Sequence, residues 1–229
     1  MVNSNKYKKI AILSGGLSSE RNISIMTALE VHKALKKKYI TKLIDVDNSC
    51  YSFIQKIKKF NPDIVFNCLH GLFGEDGQVQ SILNYLKIPY THSGVLASSI
   101  SMNKNFSKVF FKNLGIKIPK AINYQELEKS DFPVIAKPIC GGSSNELIKL
   151  NNLNQTLKFL KENENKTEKF MFEKFIEGRE ITVGILRDEV CGIMEIKFKD
   201  SLYNYENKYI NIATHIIDPD IPIEIKNKL

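Results

Sequence analysis

The chain of 229 residues is long enough to bury one or two hydrophobic cores, and its 43% hydrophobic and 25% charged residues are typical of a globular protein. No apolar run reaches the roughly 20 residues that a membrane-spanning helix needs, and the apolar segment near the start is too short for a signal peptide. We therefore expect a cytoplasmic protein without a membrane partner. The net charge of +8 comes mainly from lysine in a sequence also rich in Asn and Ile, so no nucleic-acid partner is expected either.

Two common kinds of cofactor site are not indicated. The four cysteines lie far apart, without a C-x-x-C pair or a histidine at metal-ligand spacing, so we expect reduced thiols. A G-x-G-x-x-G fingerprint is also missing, which makes a nicotinamide-dependent oxidoreductase the least favoured of the functions considered.

Strands and helices alternate over the first ninety residues. Apolar runs predict strands at residues 7–13, 39–46 and 64–69, and helical spacing predicts helices after residue 18, at 51–60 and at 78–86. This order is typical of a doubly wound parallel sheet with helices on both faces. Ligands of such sheets meet the loops at the carboxyl ends of the strands, where Gly15-Gly16 and His70-Gly71 are expected to lie.

The second part of the chain has a mixed α+β pattern. It predicts helices at residues 103–114 and 154–162, and strands at 118–121, 134–137, 147–150 and 170–175. Two β-rich runs, 180–186 and 190–198, predict a hairpin that turns at residues 187–189.

Two loops at the expected carboxyl edge carry reactive side chains. The first contains Glu20, and the second, residues 69–78, contains His70 together with three glycines and two acids. A carboxylate at this edge can hold a substrate ammonium, although a favourable interaction with the helix macrodipole explains Glu20 equally well. His70 can donate a hydrogen bond or a proton, although a single histidine is more often structural.

Further along, several groups would suit a nucleotide. Lys104 and Lys137 can pair with phosphate, although each alone is more often a solvated surface group. Glu173 follows an apolar strand whose backbone can bind adenine while the carboxylate accepts the exocyclic amine. The stretch AKPICGGSSNE, residues 136–146, has the glycines and serines of a phosphate-binding loop.

Three stretches, taken in order, carry a family resemblance. They are GGLSSERNIS around Glu20, the run HGLFGEDGQVQSILNYLKIPYTHSGVLASSISMNK from His70 to Lys104, and LYNYENKY near residue 205. Together they resemble the D-alanine–D-alanine ligase family of the ATP-grasp superfamily, over nearly the whole chain. The resemblance implies an α/β fold: an N-terminal pre-ATP-grasp, Rossmann-like domain (1–92), a central ATP-grasp subdomain (93–176) and an incomplete C-terminal ATP-grasp subdomain (177–229).

The resemblance also implies a reaction and a set of site residues. ATP would phosphorylate the carboxylate of one D-alanine, and the amine of a second would attack the acylphosphate to give the dipeptide used in peptidoglycan. Glu20, Ser143 and Tyr209 would be the catalytic set, and Glu20, His70 and Ser143 would line the substrate pocket. The residues implied to bind ATP are Lys104, Lys137, Ser144, Glu173, Phe175, Ile176, Glu180 and Lys208. Residues 200–211, which contain three tyrosines and Lys208, would form a lid that excludes water from the acylphosphate.

Two departures from the family pattern bear on activity. Asn145 and Glu146 replace an apolar residue and a glycine, and the charge of Glu146 would weaken ATP binding unless its side chain points away from the phosphates. The family's transition-state arginine and its magnesium ligands would lie beyond Leu229, so no metal ligand is assigned within this sequence. We therefore expect a fragment, a truncated product or one part of a split ligase, with weak or no activity by itself.

Several alternatives remain open from the sequence. The chain could be a non-catalytic protein that binds ATP or an amino acid, or an ATP-grasp ligase that joins other small acids and amines. If strands are missing at the C-terminal end, an uncovered apolar face predicts a homodimer or association with a missing C-terminal part.

Overall fold

The computed structural model describes residues 7–142, 146–186, 189–198 and 213–228, which divide into two compact units. The first unit comprises residues 1–118 with 139–142, and the second comprises residues 119–138 with 143–229. No helix among the described residues is long and apolar enough to cross a membrane.

The first unit is built on a parallel sheet with the strand order β2-β1-β3. Its elements, in chain order, are β1 (Lys9–Gly15), α1 (Arg21–Leu35), β2 (Ile40–Val46), α2 (Cys50–Phe60), β3 (Ile64–Asn67), α3 (Gln78–Tyr85), α4 (Val95–Met102) and α5 (Lys104–Asn113).

Helices cover both faces of this sheet. Phe53 of α2 and Leu83 of α3 pack with Leu13 on one face, whereas Ala28 of α1 packs with Ile12 on the other. Both faces of β1 are therefore buried, as an apolar strand in a parallel sheet requires. The predicted doubly wound sheet is confirmed.

One helix, α4, was not predicted from the sequence. Residues 103–114 were predicted as a helix, and α5 occupies Lys104–Asn113, but α4 just before it was not predicted. The two helices meet at Asn103, whose side-chain oxygen accepts hydrogen bonds from the backbone N–H groups of Asn105 and Phe106. Asn103 thus ends one helix and caps the next.

The second unit contains two antiparallel sheets, with the strand orders β5-β4-β6 and β7-β8-β9. Its elements are β4 (Val134–Pro138), β5 (Ile148–Leu150), α6 (Leu153–Glu162), β6 (Phe170–Lys174), β7 (Glu180–Leu186), β8 (Glu189–Lys197), β9 (Thr214–Ile217) and α7 (Ile223–Lys226), with short 3₁₀ turns at Tyr124–Glu126, Lys129–Asp131 and Glu164–Lys169. The predicted hairpin is confirmed as the antiparallel pair β7–β8, although residues 187 and 188 of its turn lie outside the described residues.

The predicted strand at 118–121 is wrong. This segment bonds to β6 through the carbonyl of Lys120 and forms only an isolated bridge at Ala121. Pro119 has no N–H to donate, so a continuous ladder cannot form there. At the other end of the second unit, strand β9 was not predicted, and it pairs with β8.

Candidate functional site

The carboxyl edge of the parallel sheet brings Glu20 and the second loop together. Glu20 precedes the first residue of α1 and is only 5% exposed, yet its side chain makes no capping bond to the helix. A Cβ added at Gly71 would lie 3.1 Å from the Glu20 Oε2 atom, and one at Gly142 would lie 3.5 Å from it. The carboxylate therefore lies beside two glycines from distant parts of the sequence, which favours a ligand-binding role over a purely helix-stabilising one.

Hydrogen bonds from both loops hold this arrangement. The Ser18 hydroxyl accepts from the Glu20 N–H at 3.2 Å and donates to the carbonyl of His70 at 2.7 Å. The Thr27 hydroxyl lies 3.3 Å from the His70 Nε2 atom. Ser18 and Thr27 were not predicted as site residues. The sequence signals for them were weak: Ser18 lies two residues before Glu20, and Thr27 lies on the helix that follows Glu20.

The turn that carries His70 is held by its own acidic residues. Glu75 accepts a hydrogen bond from the Gly71 N–H at 2.8 Å, and Asp76 accepts one from the Phe73 N–H at 2.9 Å. Gly71 has φ +70, a conformation that glycine adopts without strain. The two acids of this loop are therefore used to shape it.

Lys104 lies against the segment that precedes the serines. Its Nζ donates to the carbonyl of Gly141 at 2.8 Å and lies 3.4 Å from that of Ile139. Burial lowers the pKa of Lys104, while Cys140 opposes this change. Among the described residues, no atom lies within 4 Å of a Cβ added at Gly141. A cation next to a glycine segment fits an anionic group such as a phosphate.

Within the second unit, Lys137 and Glu173 lie on neighbouring strands. The Lys137 Nζ is 2.5 Å from the Glu173 Oε2, and the two side chains are 24% and 3% exposed. The two residues predicted to bind opposite ends of ATP therefore contact one another. This donor and acceptor on neighbouring strands suit a polar heterocycle once the ion pair between them opens.

The other residues predicted to bind adenine and ribose follow β6. The Phe175 N–H donates to the carbonyl of Pro133 at 3.0 Å, so this group is already engaged, and the Phe175 ring receives the Lys149 ammonium 3.7 Å from its centroid. Ile176 is 64% exposed, and Glu180 is exposed at the start of β7. These positions leave the backbone of Ile176 as the better candidate for contact with a base.

Glu146, whose charge would oppose a phosphate, forms an ion pair with a lysine. Its carboxylate accepts a hydrogen bond from the Lys166 ammonium at 2.9 Å on the surface of the second unit. Its backbone has φ +57, a left-handed conformation that favours glycine. The chain therefore keeps a glycine-like backbone here, and the added charge is paired with a lysine.

Four predicted site residues lie outside the described residues: Ser143, Ser144, Lys208 and Tyr209. The same holds for the whole of the predicted lid, residues 200–211. Within the described ranges, no group of three or more His, Cys, Asp or Glu side chains could hold a metal ion.

Comparison with known proteins identifies the family. The model of the D-ala D-ala ligase N-terminus matches residues 50–93, and that of the D-ala D-ala ligase C-terminus matches residues 98–229. The D-alanine–D-alanine ligase of Pelagibacter ubique (strain HTCC1062) is 43% identical over 229 residues, which cover 93% of this chain and 73% of that protein. The corresponding ligase of Wolbachia pipientis wMel is 40% identical over 224 residues, 94% of this chain and 70% of that protein.

Solved structures of D-alanine–D-alanine ligase also match this chain. A crystal structure of D-alanine–D-alanine ligase from Bacillus anthracis matches with a TM-score of 0.80 at 34% identity, covering 96% of this chain and 74% of that chain. A structure of the same enzyme complexed with ATP matches with a TM-score of 0.80 at 31% identity, covering 96% and 73%. The chain therefore belongs to the D-alanine–D-alanine ligase family of ATP-dependent ligases and has the α/β fold of its N-terminal and ATP-grasp domains.

Proposed function

We propose that this chain acts in the ATP-dependent ligation of two D-alanines to D-alanyl-D-alanine, a step of peptidoglycan synthesis in the cytoplasm. The observation that carries the proposal is the position of the Glu20 carboxylate, which lies beside Gly71 and Gly142 with His70 held nearby. This pocket can accept the ammonium group of an amino acid. The family match supplies the reaction type.

The proposed reaction proceeds in two steps. The carboxylate of the first D-alanine attacks the γ-phosphorus of ATP, which breaks the bond to the β-γ bridging oxygen and releases ADP. The amine of the second D-alanine then attacks the carbonyl carbon of the acylphosphate, and inorganic phosphate leaves as the amine loses a proton. Both steps depend on positioning and on stabilisation of developing negative charge.

The residues take the following proposed roles. Glu20 accepts hydrogen bonds from the ammonium of the first D-alanine, and His70 lines the same pocket. Ser143 and Tyr209 complete that hydrogen-bonded set. The ATP-binding residues divide into those for phosphate, which are Lys104, Lys137, Ser144 and Lys208, and those for adenine and ribose, which are Glu173, Phe175, Ile176 and Glu180.

Binding and turnover are tested separately. Calorimetry of the full chain should show binding of ATP and of D-alanine, and a coupled assay measures release of ADP that depends on D-alanine. Strong D-alanine-dependent ADP release would establish the ligase and would contradict the expectation of weak activity for this chain by itself. Binding without turnover would favour a non-catalytic ATP- and amino-acid-binding protein. If the chain bound neither ATP nor D-alanine, the proposal would be overturned.

Substitution of Glu20 gives the sharpest test of the pocket. Glu20→Gln removes the charge that would pair with the substrate ammonium, and a charge-assisted hydrogen bond contributes about 1.5–3 kcal/mol, so D-alanine affinity should fall about 10- to 100-fold. Glu30→Gln is the matched control, because Glu30 lies on the same helix with its side chain 77% exposed. Equal effects of the two variants would contradict the assigned role.

The partner prediction, a homodimer or a complex with a C-terminal part, also remains a proposal. The β7-β8-β9 sheet, hereafter the third sheet, has exposed apolar side chains that support association. Among them are Ile185, Leu186, Val190 and Ile217. A clean monomer in size-exclusion chromatography at micromolar concentration would contradict the homodimer.

A further inference from the structure

A buried amide lies directly beneath the turn that carries His70. Asn67 ends β3 and is 3% exposed. Its Oδ1 accepts the Leu69 N–H at 3.1 Å, and its Nδ2 donates to the carbonyl of Gly74 at 2.8 Å. One side chain thus binds the backbone on both sides of residues 70–73. Gln80, fully buried, also donates to the Gly74 carbonyl at 2.9 Å.

The same amide contacts a second histidine. The Asn67 Nδ2 lies 3.1 Å from the His92 Nδ1. Because the Leu69 N–H can only donate and the Gly74 carbonyl can only accept, the orientation of the amide is determined by its surroundings. Its remaining N–H therefore faces His92, whose Nδ1 must be the acceptor. This hydrogen bond requires neutral His92 with its proton on Nε2.

The backbone at His92 shows that this contact belongs to a constrained segment. His92 has φ +86, a left-handed conformation that a non-glycine residue adopts only where its surroundings hold it. The preceding residues are attached to β3, because the Thr91 N–H donates to the Val65 carbonyl and the Thr91 hydroxyl accepts the Asn67 N–H. His92 is therefore anchored to the strand whose end carries the loop.

We propose that Asn67 and His92 are positioning residues for the substrate pocket: their hydrogen bond holds the turn at residues 69–74, and with it His70 and Gly71, while His92 is neutral, and protonation of His92 releases that turn. Since Gly71 lies against the Glu20 carboxylate, a shift of this turn changes the pocket for the substrate ammonium. The part of the inference that concerns D-alanine rests on the proposed function, whereas the hydrogen bond and its titration do not.

The electrostatic surroundings agree with a neutral ring. Burial lowers the pKa of His92, Glu75 opposes this, and His70 lowers it further. Because the folded-state pKa lies below the ordinary value of 6.5, the unfolded chain binds the proton first as the pH falls. The stability contributed by neutral His92 is thus complete above pH 6.5 and is lost as the pH falls from there towards the folded-state value.

The first test observes the hydrogen bond directly. In ¹⁵N-histidine NMR of the full chain at neutral pH, His92 should show the neutral ring with the proton on Nε2. Asn67→Asp replaces the donor with a carboxylate, which favours the charged ring, so the His92 titration midpoint should rise by at least about one pH unit. A proton on Nδ1 in the wild type, or an unchanged midpoint in the variant, would overturn the proposal.

The second test separates positioning from folding. His92→Gly accepts the left-handed backbone without strain but removes the acceptor, so the fold should be retained. Amide hydrogen exchange at Leu69 should accelerate several-fold, and D-alanine affinity should fall several-fold. Below pH 6.5, the D-alanine affinity of His92→Gly should also lack the pH dependence that His92 gives to the wild type.

A control histidine completes the design. His32 bonds to the Thr41 hydroxyl at 2.9 Å in the same unit, so His32→Gln should leave exchange, affinity and pH profile unchanged. If His92→Gly matches the wild type in Leu69 exchange and in pH profile, the positioning role is wrong. If no variant, including the wild type, binds D-alanine, the proposed function fails, and the NMR and exchange results still decide whether the hydrogen bond holds the turn.

Discussion

Two strands of the molecule, β1 in the parallel sheet and β7 in the β7-β8-β9 sheet, are buried to very different extents. In the first unit, six of the seven residues of β1 are buried, whereas in the second none of the seven residues of β7 is. Helices on both faces cover the parallel sheet, while the antiparallel β7-β8-β9 sheet exposes apolar side chains such as Ile185 and Val190. The tightly packed core of the described residues thus supports the Glu20 and His70 loops, and the third sheet adds little burial.

The units also differ in charge. By sequence, the first carries 17 Lys and Arg against 7 Asp and Glu, a net charge of +10, and the second carries 16 against 18, a net charge of −2. A general bias towards lysine, which the sequence suggested, does not explain this, because basic residues are shared almost equally. The scarcity of acids in the first unit produces the difference.

The largest predicted effect tests the difference in burial with the same substitution in each unit. Ile57→Ala in the buried core of the first unit should lower the free energy of unfolding by about 2–5 kcal/mol, because it leaves a cavity. Ile185→Ala, at a position 64% exposed on the third sheet, should change it by no more than about 0.5 kcal/mol. Urea denaturation measures both. Similar losses would mean that the third sheet is covered in solution.

An intermediate effect is expected at a crowded glycine. A Cβ added at Gly74 would lie 2.4 Å from the Leu69 Cβ and 2.9 Å from its carbonyl carbon, so Gly74→Ala should destabilise the protein by about 1–3 kcal/mol and displace the His70 turn. A Cβ added at Gly192 on β8 meets no atom of the described residues within 4 Å, so Gly192→Ala should be neutral or slightly stabilising. Denaturation and D-alanine calorimetry are the measurements. A tolerated Gly74→Ala would show that the turn is looser than its contacts indicate.

The smallest effect concerns Glu146. Glu146→Gly removes the cost of a left-handed backbone at a non-glycine residue, about 1–2 kcal/mol. It also removes an exposed ion pair with Lys166, which contributes about 0–1 kcal/mol. The free energy of unfolding should therefore rise by about 1 kcal/mol. ATP affinity should change less than about twofold, because the carboxylate is paired with Lys166. A much larger gain in ATP affinity would show that Glu146 does oppose the phosphates. Lys166→Ala, which removes only the ion pair, separates the two contributions.

Regular elements were predicted well where the apolar pattern was strong. The strands of the first unit and helices α2 and α3 were located to within a few residues, because buried runs and helical spacing are local signals. α4 was missed, and Pro119 prevented the strand expected at 118–121. β9 carries a short pattern in the chain's last segment, and only its pairing with β8 defines it.

The structure places some of the predicted site residues close together. Glu20, His70 and Lys104 were recognised from their family motifs, and the structure brings Glu20 and His70 to one edge of the sheet and Lys104 to the Gly141 segment. The proposed positioning residues Asn67 and His92 were not predicted, because a polar residue at a strand end and a lone histidine in a loop carry no specific signal. The roles assigned to the site residues remain predictions.

The sequence by itself determined the doubly wound sheet, the family and the identity of the loops that meet at its carboxyl edge. These follow from apolar periodicity and from contiguous motifs, which are local in the chain. Only the tertiary structure decided that Lys137 contacts Glu173, that Glu146 turns towards Lys166 and that Asn67 joins His92 to the His70 turn. Such contacts depend on strand register and on backbone conformation at single residues, and both arise only when segments distant in sequence pack together.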